Sequence, residues 1–407
     1  MIDSQPDASV PPTSLDNITI SLTLNCNQGC KHCWVDAGTA GTDELDNDEV
    51  ADLLRQARGL GARHVKFTGG EPLLRKGFAD ILDVAYGLGF RISLETNGTA
   101  LFPGVIGRLR PLFDRLHLYV SLDGATAEVH DTFRAQPGAF RRTVANLADL
   151  REQDGFFSIH TVTRKQNLAE IPDIFALSQR LGASQLKLIL SVHDLGRGRE
   201  MQDESITPDE LFALVDRLPP QRFWDYQWSP ERSRETVLMT TLPPAFQPAG
   251  HAVTCGWGTS YAAVLANGDV AICHGMYELD EAKAGNVRQR SLADLWLSST
   301  LFTQTRSWQA GDLLGVCGNC VVADSCRGLC RASAIAHYRD LRAPYPLCQT
   351  LYQAGRFPAA MLRDPARDAS FLDARRPATL AATTAAPSGR RLLPVLGSGA
   401  TSGCATT

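Results

Sequence analysis

The sequence has no apolar run approaching the roughly 20 residues of a membrane-spanning helix, so no spanning segment is expected. Its N-terminus, MIDSQPDASVPPTSLDN, has no positive stretch followed by an apolar one and does not read as a signal peptide. Charge of one sign is also scarce. The 407 residues carry a formal net charge of −4 with no basic stripe, which argues against a nucleic-acid partner. No internal repeat is present. Cysteine is missing from residues 34–254, although the chain has 11: three at 26–33, seven at 255–348, and Cys404. Two clusters without an export signal argue against a disulfide framework. They point to metal or redox chemistry in a reducing compartment, the cytoplasm.

What is present is ordinary globular material, 44% hydrophobic and 21% charged. The length allows one large domain and a smaller one. Residues 1–16 read as a flexible polar arm. Strand and helix patterns then alternate: ITISLTL (18–24), helix 49–61, HVKFTG (64–69), helix 78–89, FRISLET (90–96), helix near 104–113, LHLYVSL (116–122), helices near 125–133 and 140–153, FFSIHTV (156–162), helix 168–182, QLKLIL (185–190). This is an α/β pattern of six units, which predicts a parallel sheet wrapped by helices. Six units are too few to close an eight-stranded barrel, so a partial (β/α)6 TIM-like barrel is expected over 17–204. A flat doubly wound sheet fits the same periodicity. Residues 205–250, broken at PPQ and TLPPAFQP, read as a helical connector. Residues 251–350 form a small cysteine-rich domain. Residues 351–407 form a C-terminal extension, largely disordered from about residue 364 by its Ala/Thr/Ser/Gly composition.

Distinctive residues recur where each strand ends: CNQGCKHC (26–33), TGGEP (68–72), ETNG (95–98), SLDG (121–124), TRKQN (163–167) and HDLGRG (193–198). Loops at the C-terminal ends of barrel strands build one pocket. Three cysteines in eight residues, with no fourth nearby, leave one metal position open to an outside ligand, as a working site requires. The adjacent glycines allow close backbone approach, and a carboxylate suits an amine.

C-x3-C-x2-C followed by GGEP resembles the radical S-adenosylmethionine (SAM) superfamily. The resemblance implies that Cys26, Cys30 and Cys33 hold a 4Fe–4S cluster. It implies that Gly69, Gly70 and Glu71 receive the methionyl amine of SAM, that Ser121 and Arg134 bind its carboxylate, and that Asn167 contacts ribose or adenine. The activity implied is SAM cleavage to a 5′-deoxyadenosyl radical that abstracts hydrogen from a substrate. The second cysteine set, C-x12-G-x4-C followed by C-x2-C-x5-C-x3-C and a last cysteine, resembles the SPASM extension. Its C-x2-C alone would also permit zinc ribbons. The SPASM resemblance implies two auxiliary 4Fe–4S clusters, three clusters in all. One takes Cys317, Cys320, Cys326 and Cys348, the other Cys255, Cys273 and Cys330. Sulfatase maturases add a cysteine shortly after the first; here CGWGTSY offers Tyr261 instead. His274 stands where those maturases carry a catalytic aspartate, so proton transfer, a bond to a cluster sulfur and simple packing are its candidate roles.

SPASM enzymes act mostly on ribosomally made peptides, so oxidative crosslinking, epimerisation or decarboxylation of such a peptide is the expected reaction. The alternative is a small sugar, aminocyclitol, nucleoside or cofactor precursor. Only 25 residues precede Cys26, so leader recognition is expected of a separate protein or of the SPASM surface. A reducing donor such as flavodoxin or ferredoxin is the other expected partner.

Overall fold

The computed structural model describes residues 14–190, 194–218, 222–223, 236–247 and 255–371. Most of the N-terminal arm, His193, much of the connector, and the tail with Cys404 lie outside the described residues. The alternation expected from the sequence is present. The order is β1 (Asn17–Ser21), α1 (Asn47–Gly59), β2 (His64–Thr68), α2 (Phe78–Gly87), β3 (Arg91–Thr96), α3 (Pro103–Leu109), β4 (Leu116–Ser121), α4 (Ala127–Arg134), α5 (Ala139–Glu152), β5 (Phe157–Val162), α6 (Ile171–Leu181) and β6 (Gln185–Ile189). Beyond it come α7 (Pro208–Arg217), β7 (Arg222–Phe223), β8 (Val237–Thr240), β9 (Tyr261–Val264), β10 (Asp269–Ala271) and β11 (Lys283–Asn286). The chain continues through α8 (Leu292–Ser298), α9 (Thr300–Ser307), α10 (Gly315–Gly318), α11 (Ala323–Cys326), α12 (Arg331–Tyr338) and α13 (Pro346–Gln353).

Local chemistry sets these boundaries. Asp46 and Glu49 form a capping box at the start of α1, and Val50, Leu53, Leu54 and Ala57 give the helix one buried face. Gly182 ends α6 in the left-handed conformation that glycine adopts without strain. Most of the strands alternate polar and apolar residues. Outward residues such as Phe67, Ile92, Leu94, Leu118, Val120, Ile159 and Leu186 are fully buried against the helices. Each contributes about 1.5–3 kcal/mol.

Strands β1 to β6 pair in parallel, in sequence order, as a partial TIM barrel. The sheet does not stop there. Its order is β11-β10-β9-β1-β2-β3-β4-β5-β6-β8-β7, eleven strands. The expected helical connector therefore contains sheet: β8 pairs in parallel with β6, because VLMT is a short apolar run that fits a buried strand position. At the other end β9 pairs in parallel with β1, so the cysteine-rich region begins as part of the barrel sheet. The end of the N-terminal arm is packed too. Leu15 is fully buried, and its amide donates to the Leu60 carbonyl. Residues 364–371, expected to be disordered, also pack: Ala369 is buried and its carbonyl accepts from Gln349.

Candidate radical SAM site

The loop after β1 is pinned on three sides. The Cys26 amide donates to Gly38 at 2.9 Å, and the Lys31 amide to Phe133 on α4 at 3.1 Å. Arg197 Nε donates to the Cys30 carbonyl at 2.8 Å, and the Arg197 amide to the Cys33 carbonyl at 2.9 Å. Cys26 and Cys30 are buried and Cys33 is half-buried. Burial raises the thiol pKa of Cys26 and Cys30, reinforced by the other cysteines of the triplet. Such thiols ionise only beside a compensating cation.

The GGE loop lies directly on this one. Gly70 N donates to the Thr23 carbonyl at 2.6 Å, and Glu71 N to the Asn25 carbonyl at 2.7 Å. A Cβ at Gly70 would overlap the Asn25 carbonyl and come within 2.8 Å of the Leu24 oxygen. The glycines are thus required by the approach of the two loops. Both remain half-exposed toward the site. Glu71 does not: it is fully buried, and its carboxylate accepts from Thr96 Oγ1 (2.8 Å), Asn97 N (2.8 Å) and Leu73 N (3.2 Å). Burial, opposed by those bonds, lifts its pKa to about 7. The carboxylate is thus engaged with the third loop, while the neighbouring glycines keep exposed backbone.

The next loops interlock. Asn97 Nδ2 donates to Asn27 Oδ1, and Asn27 Nδ2 to Thr99 Oγ1, both at 2.9 Å, tying the third loop to the cysteine loop. Ser121 ends β4 half-buried, in register with His160 of β5. Arg134 is buried in an ion pair with Asp123 and donates to Cys30 Sγ at 3.6 Å. Asn167 is 2% exposed and fully engaged. Its amide donates to the Asp123 (3.0 Å) and Val162 (2.9 Å) carbonyls, and its oxygen accepts from Arg164 N (2.8 Å). It clamps the fourth and fifth loops.

The seven later cysteines lie near one another in two sets. Cys348 lies near enough to Cys317, Cys326 and Cys320 for their thiols to act on it, as Cys330 and Cys255 act on Cys273. The first group is the more enclosed: Cys317, Cys320 and Cys348 are buried, whereas Cys255, Cys273 and Cys330 are all half-buried. Burial pushes Cys326 and Cys273 up to about 12. Backbone amides donate to three sulfurs: Ala37 N to Cys33 (3.3 Å), Ser333 N to Cys330 (3.4 Å) and Tyr345 N to Cys317 (3.3 Å). His274 is buried, its ring meeting Trp34 of the first cysteine loop edge-on at 4.6 Å.

Among the described residues no three Cys, His, Asp or Glu side chains converge on a single metal ion. One zinc ion needs its donors within about 2.3 Å of one point, whereas a cubane spreads its thiolates over its corners. Buried and half-buried thiols lying near one another, N–H donors aimed at sulfur, and Arg134 beside Cys30 fit iron–sulfur clusters, whose thiolates are stabilised by such donors.

The family model described as the radical SAM superfamily matches residues 20–177, which contain both the cysteine triplet and GGEP. An AdoMet-dependent heme synthase of Methanosarcina barkeri is 32% identical, over 83% of this chain and 97% of that protein. The chain belongs to the radical SAM superfamily. The SPASM model, an iron–sulfur cluster-binding domain, matches residues 255–321 of this radical SAM enzyme. Mycofactocin maturase MftC of Mycobacterium tuberculosis is 31% identical over 81% of this chain and 82% of its own. The fold is shared with Streptococcus suis SuiB, solved with its precursor peptide SuiA, at a TM-score of 0.66 and 15% identity, over 83% of this chain and 76% of that one. No described helix is long and apolar enough to cross a membrane.

One set of residues was missed by sequence reasoning. The inward positions of the barrel strands are polar: Thr19, Lys66, Glu95, Tyr119, His160 and Lys187 alternate with the buried apolar residues. Tyr261 of β9 joins them, in register with Asn17 and acted on by both Cys255 and Cys273. The signal was legible. Parallel strands covered on both faces read as continuous apolar runs, and HVKFT, LHLYVS and QLKLI do not. They give the partial barrel a polar lumen, in which the Lys66 and Glu95 side chains stay 24% and 27% accessible.

Proposed function

We propose that this radical SAM enzyme oxidatively modifies a ribosomally made peptide through crosslinking, epimerisation or decarboxylation. When bound, SAM and a reduced 4Fe–4S cluster supply a 5′-deoxyadenosyl radical that takes hydrogen from the substrate. Cys26, Cys30 and Cys33 would hold that cluster, with Arg134 and Arg197 lowering the cost of its negative charge. Gly69 and Gly70 offer accessible backbone to the SAM amine, and Ser121 lies across the same rim. Two further clusters, three in all, would sit on Cys317, Cys320, Cys326 and Cys348 and on Cys255, Cys273 and Cys330. His274, beside Trp34 and Cys273, would accept a proton from an oxidised substrate. An electron donor such as flavodoxin or ferredoxin, and a separate leader-binding protein, complete the proposed partners.

The observation that supports the peptide reading is the polar lumen, together with likeness to a relative named as a maturase. A lumen lined by Lys66, Glu95, Tyr119, His160 and Lys187 suits a polar chain better than an apolar macrocycle. The second reading is a small-molecule substrate, favoured by the 32% identity to a protein named as a heme synthase. Anaerobic co-expression with a short reading frame beside the gene, followed by mass spectrometry, separates the two. The expected outcome is a peptide lighter by two hydrogens, or one that gains deuterium from heavy water. An unchanged peptide from a preparation that releases 5′-deoxyadenosine would leave the small-molecule reading.

A further inference from the structure

His32, between Cys30 and Cys33 in the first cysteine loop, stands among three guanidinium groups, those of Arg134, Arg164 and Arg197. Two of them are occupied. Arg197 donates through Nε and Nη1 to the Cys30 and Ala37 carbonyls. Arg134 spends Nη1 on Cys30 Sγ and Nη2 on Asp123, which leaves Nε. Arg164 differs. It follows β5, is fully buried, and none of its three side-chain nitrogens has a hydrogen-bond partner. No other arginine among the described residues is buried with all three unbonded. Its place is fixed at both ends. The Arg164 amide donates to Asn167 Oδ1 at 2.8 Å. Its guanidinium lies over the Phe133 ring at 5.0 Å, and that ring stacks on His32 with centroids 4.4 Å apart. His32 Nδ1, in the same stack, is also buried without a partner.

A guanidinium group carries five N–H donors and no acceptor. Burying it with none of them bonded is costly, and packing on an aromatic ring replaces none of those bonds. Two carboxylates act on Arg164, those of Asp123 and Glu204. Asp123 is committed to Arg134 and to the Val162 amide at 2.8 Å, and Glu204 bonds none of the Arg164 nitrogens. The rigid fork of arginine suits a carboxylate held through both oxygens. SAM carries one anionic group, its methionyl carboxylate. We propose that Arg164 receives the carboxylate of SAM, the part that the motif resemblance gives to Arg134. Arg134 instead balances the charge of Cys30, and Asn167 is a positioning residue that fixes the Arg164 backbone. The proposal rests on the reading above that the first cysteine loop is the SAM site.

The test uses the anaerobically reconstituted, iron-replete holoenzyme and equilibrium dialysis with two probes, SAM and decarboxylated SAM, which lacks only the carboxylate. The unvaried enzyme is expected to bind SAM the more tightly. Arg164→Met is expected to weaken SAM by about 10-fold or more and to leave decarboxylated SAM within about 2-fold. Arg164→Lys, which keeps a cation without the fork, is expected to recover part of the loss. An iron-replete Arg164→Met enzyme that weakens both probes equally, or neither, overturns the proposal. Equal weakening would mean that Arg164 holds the loop or the adenosine; no weakening would mean that its anion is not SAM. Should Arg164→Met fail to hold iron, Arg164→Lys carries the same comparison. A loss confined to SAM supports the proposal, and an equal effect on the two probes overturns it. The unvaried enzyme keeps the claims apart. If it binds SAM and the variants do not discriminate, only the Arg164 claim falls. If it binds neither probe, the reading of the first loop as the SAM site falls, and the Arg164 claim with it.

Discussion

Glu71 and Asn167 stand in motifs that the sequence made visible, but their partners were not. A motif identifies residue types at a spacing; it does not say which atoms face inward. Both side chains spend every polar atom on backbone or neighbouring hydroxyls, holding the rim together. Glu71→Gln is therefore expected to lower stability by about 1–3 kcal/mol, through an unsatisfied donor at Asn97 or Thr96, read as a lower urea midpoint. The reverse failure occurred at Lys66, Glu95 and Lys187. Their positions were legible as polar breaks in apolar strands, but each belongs to a different strand, and only pairing brings them face to face. His117 gives the pH behaviour at this scale. It is buried against Tyr119, hydrogen-bonded to Ser158, and burial depresses its pKa from 6.5 to about 3. The unfolded chain binds the proton first. This part of the stability is present above pH 6.5 and is lost as pH falls from there toward about 3. The slope is about 1.4 kcal/mol per pH unit. His117→Gln should remove that slope, seen by comparing denaturant midpoints at neutral and mildly acidic pH.

At the scale of elements, the six strands and their helices were legible because each follows its own period, two or 3.6. The edges of the sheet were not. Strands β8 and β9 are four residues each, too short to announce themselves, and their partners lie far away in sequence. Contacts between elements make two predictions. Gly70→Ala should push the GGE loop off the Asn25 carbonyl and displace the cysteine loop. The expected result is loss of the first site's iron, on the order of four atoms per chain, measured by metal analysis. The second concerns the start of α1. Arg288, beyond β11, donates to both oxygens of Glu49 at 2.6 and 2.8 Å, the same residue that completes the capping box with Asp46. Asp46→Ala should cost about 1 kcal/mol. Combined with Arg288→Ala, the loss should be non-additive because both changes act through Glu49.

At the scale of the whole molecule, the two cysteine-rich stretches were legible from spacing, and their division between two auxiliary clusters came from the resemblance to the SPASM extension. Replacing Cys26, Cys30 and Cys33 by Ala together is expected to abolish SAM cleavage. About eight of about twelve irons should remain, measured alongside 5′-deoxyadenosine release. Persistent cleavage would rule out this loop as the SAM site. The sheet itself sets an order of events. Strand β1, which leads into the first cysteine loop, has β2 on one side and β9 on the other. Its second neighbour begins only at Tyr261. While the protein is being synthesised, β1 keeps an open edge until Tyr261–Val264 have been made, with its loop unsupported on that side. Long-range pairing of this kind closes late. The first cysteine loop, near the start of the chain, is therefore among the last parts of the molecule to become fully enclosed.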